Sequence, residues 1–102
     1  MNRLIDAKRS ELSDLCARYH VRRLEVFGSA AGDLFDPNTS DLDFLVEFQD
    51  LPPGQYADSY FGLLEELEKV FNRPVDLVMI TAVRNPYFLQ SIQASRVVLY
   101  AA

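Results

Sequence analysis

Apolar positions along the chain change period from segment to segment. Leu4, Leu12, Leu15, Cys16 and Tyr19 recur at helical spacing, which predicts an amphipathic first helix ending near Tyr19. Val21 to Phe27 reads as a short strand that Gly28-Ser29 ends, and Ser29-Ala30-Ala31 suits a brief helical turn before Gly32. Leu34 to Ser40, with its Asp-Pro-Asn-Thr-Ser run, is loop-like. From Asp41 to Phe48 the alternation is strict. Leu42, Phe44, Val46 and Phe48 point one way, and Asp41, Asp43, Leu45 and Glu47 the other.

After the break at Pro52-Pro53-Gly54, Tyr60, Phe61, Leu64, Leu67, Val70 and Phe71 form the stripe of a helix from about Ala57 to Phe71. Asn72 can adopt a left-handed cap there, and Pro74 prevents continuation. Val75 to Ile80 is a β-branched strand, and Thr81 can open a short helix. Asn85-Pro86 supplies an N-cap and a first-turn proline for a helix to about Ala94. Arg96 to Tyr100 closes the series as a strand. Alternating helices and strands predict an α/β (α+β) fold, a small mixed sheet covered by helices.

Length and composition narrow this reading. A chain of 102 residues, 49% hydrophobic and 25% charged, predicts one domain spanning residues 1–102 and excludes disorder or a disulfide scaffold. No apolar run approaches the roughly 18 residues needed to span a bilayer. The charged start, MNRLIDAKRSELSD, lacks the apolar core of a secretory signal. Cys16 is the single cysteine, so a reducing cytoplasmic setting is expected and no internal disulfide. Its place on the first helix's stripe makes it a small buried hydrophobe.

The net charge of −5 argues against direct nucleic-acid binding, and its distribution is uneven. Residues 24–50 carry seven acids and no Lys or Arg, interleaved with core-forming side chains. Carboxylates crowded inside a fold repel unless a cation relieves them, which makes a divalent metal an expectation.

Three features carry candidate chemistry. Gly28-Ser29 lies where a strand turns into a short helix, so backbone N–H groups and a hydroxyl can hold a phosphate oxygen. Asp41 and Asp43 sit two apart on one strand face, a spacing that suits Mg2+, which takes few carboxylates plus substrate phosphates. Asp76 stands inside the apolar strand Val75–Ile80. There it either needs a partner, as a buried bare carboxylate does, or lies at a strand edge or start. As a third carboxylate it could accept the proton of an attacking hydroxyl.

Together these residues resemble a known signature. Gly28-Ser29, eleven residues and then Asp41-Leu42-Asp43 is similar to the motif of the DNA polymerase β-like nucleotidyltransferase superfamily. The stretches VFGSAAGDLFDPNTSDLDFLVEF, RPVDLVM and NPYFLQSIQASRVVLY resemble the minimal nucleotidyltransferases (MNT proteins), antitoxin-type partners of HEPN toxins. One departure stands out. Ala30-Ala31-Gly32-Asp33 lacks the Arg that commonly follows the Gly-Ser pair in the family.

The resemblance implies Mg2+ held by Asp41 and Asp43, with Asp76 as third carboxylate and base. It also implies an NTP, preferably ATP, with its phosphates on Gly28 and Ser29. The implied reaction is transfer of NMP, expected to be AMP, to a hydroxyl of a HEPN toxin, a tyrosine by the same resemblance. The alternatives are an inactive domain that neutralises the toxin by binding alone, and a homo-oligomer that modifies a small molecule in a shared cleft. Phe61, Tyr87, Phe88 and Tyr100 could furnish an interface, although their spacing assigns most of them to the core.

Overall fold

The computed structural model describes residues 3–31 and 41–102. The expected loop from Leu34 to Ser40 and the break at Gly32 lie outside the described residues. Elements run α1 (Arg3–Asp6), α2 (Arg9–Arg18), β1 (Val21–Phe27), a 3-10 turn (Gly28–Ala31), β2 (Leu42–Phe48) and α3 (Gln55–Phe71). There follow β3 (Val75–Met79), a second 3-10 turn (Ile80–Ala82), α4 (Pro86–Ser95) and β4 (Val97–Ala101).

The expected first helix is two. Its apolar stripe misses the turn where Lys8 and Arg9 stand, so no packing holds the helix through that point. The Lys8 N–H instead reaches back only to the Ile5 carbonyl, at 2.9 Å, and α2 restarts from there. The other caps match their sequence signals. Asn85 Oδ1 accepts from the N–H groups of Tyr87 and Phe88 at 2.9 and 3.3 Å, and Asn72 closes α3 in the left-handed region.

Among the described residues four strands form one mixed sheet in the order β3-β2-β1-β4. β1 pairs antiparallel with both β2 and β4. β2 and β3 run parallel because the α3 crossover returns the chain to the same end of the sheet.

Alternation in β2 sets the layers. Leu42, Phe44, Val46 and Phe48 join Leu12, Leu15 and Cys16 of α2 and Leu63, Leu67 and Phe71 of α3 in the main core. Gly62 lets the two helices close up, since a Cβ there would stand 2.4 Å from the Tyr19 ring. Leu45, the apolar residue among the acids on the opposite face, is buried with Phe27 and Ile92 beneath α4. Both faces of the sheet are therefore covered, the second only in part.

Of the four aromatics that the sequence offers for an interface while assigning most of them to the core, three are on the surface, with Phe61 64%, Tyr87 82% and Phe88 40% exposed. Phe61 lies one residue beyond Tyr60, about 100° round the helix, and so falls off the buried stripe. Tyr87 and Phe88 occupy the first turn of α4, ahead of Ile92, the residue that anchors the helix to the sheet. Among the described residues, no helix is long and apolar enough to cross a membrane.

Candidate active site

The candidate residues gather where β1 ends and β2 and β3 begin. In the parallel ladder Asp43 is the register partner of Asp76, and in the antiparallel ladder it is the partner of Phe27, the residue before Gly28. One strand position thus brings a carboxylate of β2 beside a carboxylate of β3 and the turn that follows β1.

Asp43 is half-buried, and its carboxyl group is pushed up to about 6. Burial is the largest cause; a hydrogen bond with Asp76 and the charges of Asp76 and Asp41 follow. Below that pH a proton bridges the two carboxyl groups.

Asp76 is exposed on β3, an edge strand among the described residues, so of the two readings the sequence leaves open the strand-edge one holds. The apolar residues around it pack through the other side of β3 and under α4, which leaves the Asp76 position open. Asp41 is also exposed and precedes β2 by one residue. It acts on Asp43 through charge. Among the described residues no three Asp, Glu, His or Cys side chains form a metal cage by themselves.

Gly28 has φ +69°, and a Cβ on it would stand 2.7 Å from Asp43 Oδ2. The glycine therefore serves the carboxylate, whose oxygen occupies the space a side chain would fill. Its N–H donates to Ser95 Oγ at 3.0 Å. Ser29 follows it in the 3-10 turn, half-buried.

A cavity of about 430 Å3 opens beside the pair, lined by Asp43 and Asp76 and by Phe27, Tyr60, Val78 and Phe88. The rings of Phe27 and Phe88 meet edge to face, 6.1 Å between centroids. An acidic pair on one wall and aromatic rings on another suit a cation and a flat or apolar group side by side.

The sequence profile of the nucleotidyltransferase domain family matches residues 9–99. The chain belongs to that family. A protein of Methanocaldococcus jannaschii, MJ0128, provisionally named a protein adenylyltransferase, is 35% identical over 88 residues, 86% of either chain. A solved structure described, also provisionally, as a minimal nucleotidyltransferase is 29% identical with a TM-score of 0.73, and the match covers 95% of each chain.

This nucleotidyltransferase also has the fold of a chain in the complex of a tri-AMPylated Shewanella oneidensis HEPN toxin with an MNT antitoxin. That match has a TM-score of 0.65 at 16% identity and covers 95% of this chain and 72% of that one. The recognition of the family and of its mixed-sheet fold is thereby borne out.

Two parts of the site region carry little local signal in the sequence. Ser95 reaches Gly28 across 67 positions, and nothing local marks it. Glu25 was legible in principle, as an acid between Leu24 and Val26 in a strand that proves central. Its side chain is 1% exposed and bound by Arg23 and by a fork from Arg96, the Arg96 Nη2 bond being 2.9 Å. These partners hold the Glu25 carboxyl below the usual range, Arg96 most of all. Arg23 is committed to that pair.

Proposed function

We infer that this nucleotidyltransferase moves AMP from Mg2+-bound ATP to a hydroxyl of a partner protein, and that the partner is a HEPN toxin it silences as an antitoxin. The observation that carries the reading is the register pairing of Asp43 with Asp76 beside Gly28, within a chain of this family. The relative named for protein adenylylation and the fold shared with the MNT antitoxin complex support the acceptor class.

The donor set fits a magnesium ion. Two carboxyl groups that share a proton become favourable together once a divalent cation replaces that proton. Mg2+ completes its shell with water and substrate phosphates, so a pair suffices where a cage does not. Asp41 and Asp43 would hold it, with Asp76 beside them as the third carboxylate. When bound, the ion supplies charge neutralisation at the phosphates and alignment of the attacking and leaving oxygens.

The remaining roles fall to the chain itself. Ser29 and the backbone of its turn orient the triphosphate. Asp76, the most open of the acids on the ladder, takes the proton of the acceptor hydroxyl. The hydroxyl oxygen bonds to the α-phosphorus, the bond from that phosphorus to the bridging oxygen breaks, and pyrophosphate leaves.

The experiment is calorimetric titration of Mg-ATP into the protein and into the Asp41→Asn/Asp43→Asn double variant, with transfer onto the toxin followed by mass. Binding and a mass gain of one AMP group per transfer, both lost in the variant, support the reading. Neutralisation that persists in the variant without mass gain overturns it in favour of silencing by binding alone.

A further inference from the structure

Ser95, the last residue of α4, uses its hydroxyl twice. The oxygen accepts the Gly28 N–H at 3.0 Å, and the proton points to the Ser91 carbonyl one helical turn back, at 3.4 Å. That second contact fixes the hydroxyl rotor and turns a lone pair toward Gly28. The next residue, Arg96, closes α4 with its own N–H on the Ile92 carbonyl and grips the buried Glu25 through a two-point fork. Glu25 lies on β1, the strand that runs directly into Gly28. The hydroxyl and its target are thus fastened to the same strand, a few residues apart.

We propose that Ser95 is a positioning residue for the nucleotide turn. By holding the Gly28 N–H it fixes the left-handed glycine peptide, keeps the space beside Asp43 Oδ2 clear, and aims the following turn at the triphosphate; the Glu25–Arg96 fork keeps α4 in place for it. Gly28 then contributes conformation rather than an N–H to the bound phosphate. The role deepens the transfer reading and rests on it. It also ties the end of α4 to a site whose acids stand on and beside β2 and β3.

The test compares the protein with Ser95→Ala, Ser95→Thr and Ile5→Val. The last removes a core methylene on α1, outside both α4 and the Gly28–Ala31 turn, and matches the modest loss of stability of a deleted hydrogen bond. Two quantities are read: hydrogen exchange of the Gly28 amide by NMR without nucleotide, and the Mg-ATP affinity. Ser95→Ala is expected to expose the amide and weaken Mg-ATP, each by roughly five- to tenfold for one lost hydrogen bond. Ser95→Thr restores both, and Ile5→Val changes neither.

A Gly28 amide equally protected in Ser95→Ala overturns the hold on the turn. An amide set free with unaltered Mg-ATP affinity overturns the positioning role while leaving the transfer reading intact. Wild-type protein that binds no Mg-ATP, with its Gly28 amide protected, overturns the transfer reading and the role that rests on it.

Discussion

Asp43 and Asp76 are partners across the parallel β2–β3 ladder, so close that a proton on one carboxyl group can also bind the other. Two acids kept this close are unfavourable as two anions, and the backbone gives them no way to separate. A position arranged against the stability of the free protein is a mark of a binding site rather than of a packing choice.

Removing one acid should therefore divide activity from stability. Asp43→Asn is expected to lower nucleotidyl transfer by at least about a hundredfold, since ion-borne charge stabilisation is worth several kcal/mol. The same variant, free of metal at pH 8, should melt a few degrees above the wild type. Calorimetric melting beside a transfer assay checks both.

The pH dependence has a definite sign. Asp43 titrates near 6 in the folded protein and near the ordinary Asp value, about 3.9, when unfolded. Between those values the native state binds more protons, so this group's contribution to stability falls as pH rises through the interval. The melting-temperature advantage of Asp43→Asn over wild type should grow from pH 4 to pH 7. Millimolar Mg2+ should abolish it above pH 6 by stabilising only the wild type.

Gly28→Ala places a methyl group 2.7 Å from Asp43 Oδ2 on a backbone with φ +69°. The left-handed conformation alone disfavours a non-glycine residue by about 1–2 kcal/mol. The variant is expected to melt roughly 5–10 °C lower and to lose Mg-ATP binding, because the carboxylate must move. Titration calorimetry reads the second effect apart from the first.

Glu25→Gln tests the buried ion pairs. Their loss should destabilise the protein by about 2–3 kcal/mol at pH 7, as for other hydrogen-bonded buried charges. Arg96 and Arg23 hold the Glu25 carboxyl low, so this stability is present above the unfolded value near 4.3 and disappears as pH falls below it. Urea unfolding at pH 7 and pH 3 should show the gap between wild type and variant closing in acid.

Cys16 is fully buried on α2, and burial pushes its thiol up to about 12. It should resist a thiol reagent at pH 8 for as long as the protein is folded and react at once in denaturant.

Much of this was legible because it is local. The strict alternation of Leu42-Asp43-Phe44-Leu45-Val46 fixed a strand and its faces, and Asn85-Pro86 fixed a helix start from two residues. The identity of the acids followed from the spacing of Gly28-Ser29 and Asp41-Leu42-Asp43. What stayed hidden depends on strand order. Which of its two readings Asp76 takes follows from β3 being an edge strand, and that Glu25 is buried follows from β1 being central, between β2 and β4. The split of the first helix and the surface place of Phe61 were missed for another reason. Apolar residues can be strung into a stripe on paper with a whole turn absent, but packing requires contact at each turn.

The parallel pairing of β2 and β3 carries a practical corollary. The separation of the two acids is measured out by the rungs of a hydrogen-bonded ladder, so no loop has to hold a particular shape to maintain it. The connection at Pro52-Pro53-Gly54, at the far end of β2, can accordingly be lengthened, shortened or replaced with the gap between Asp43 and Asp76 unchanged. It is the natural place to graft a tag, a reporter or a second specificity onto the protein without retuning its chemistry.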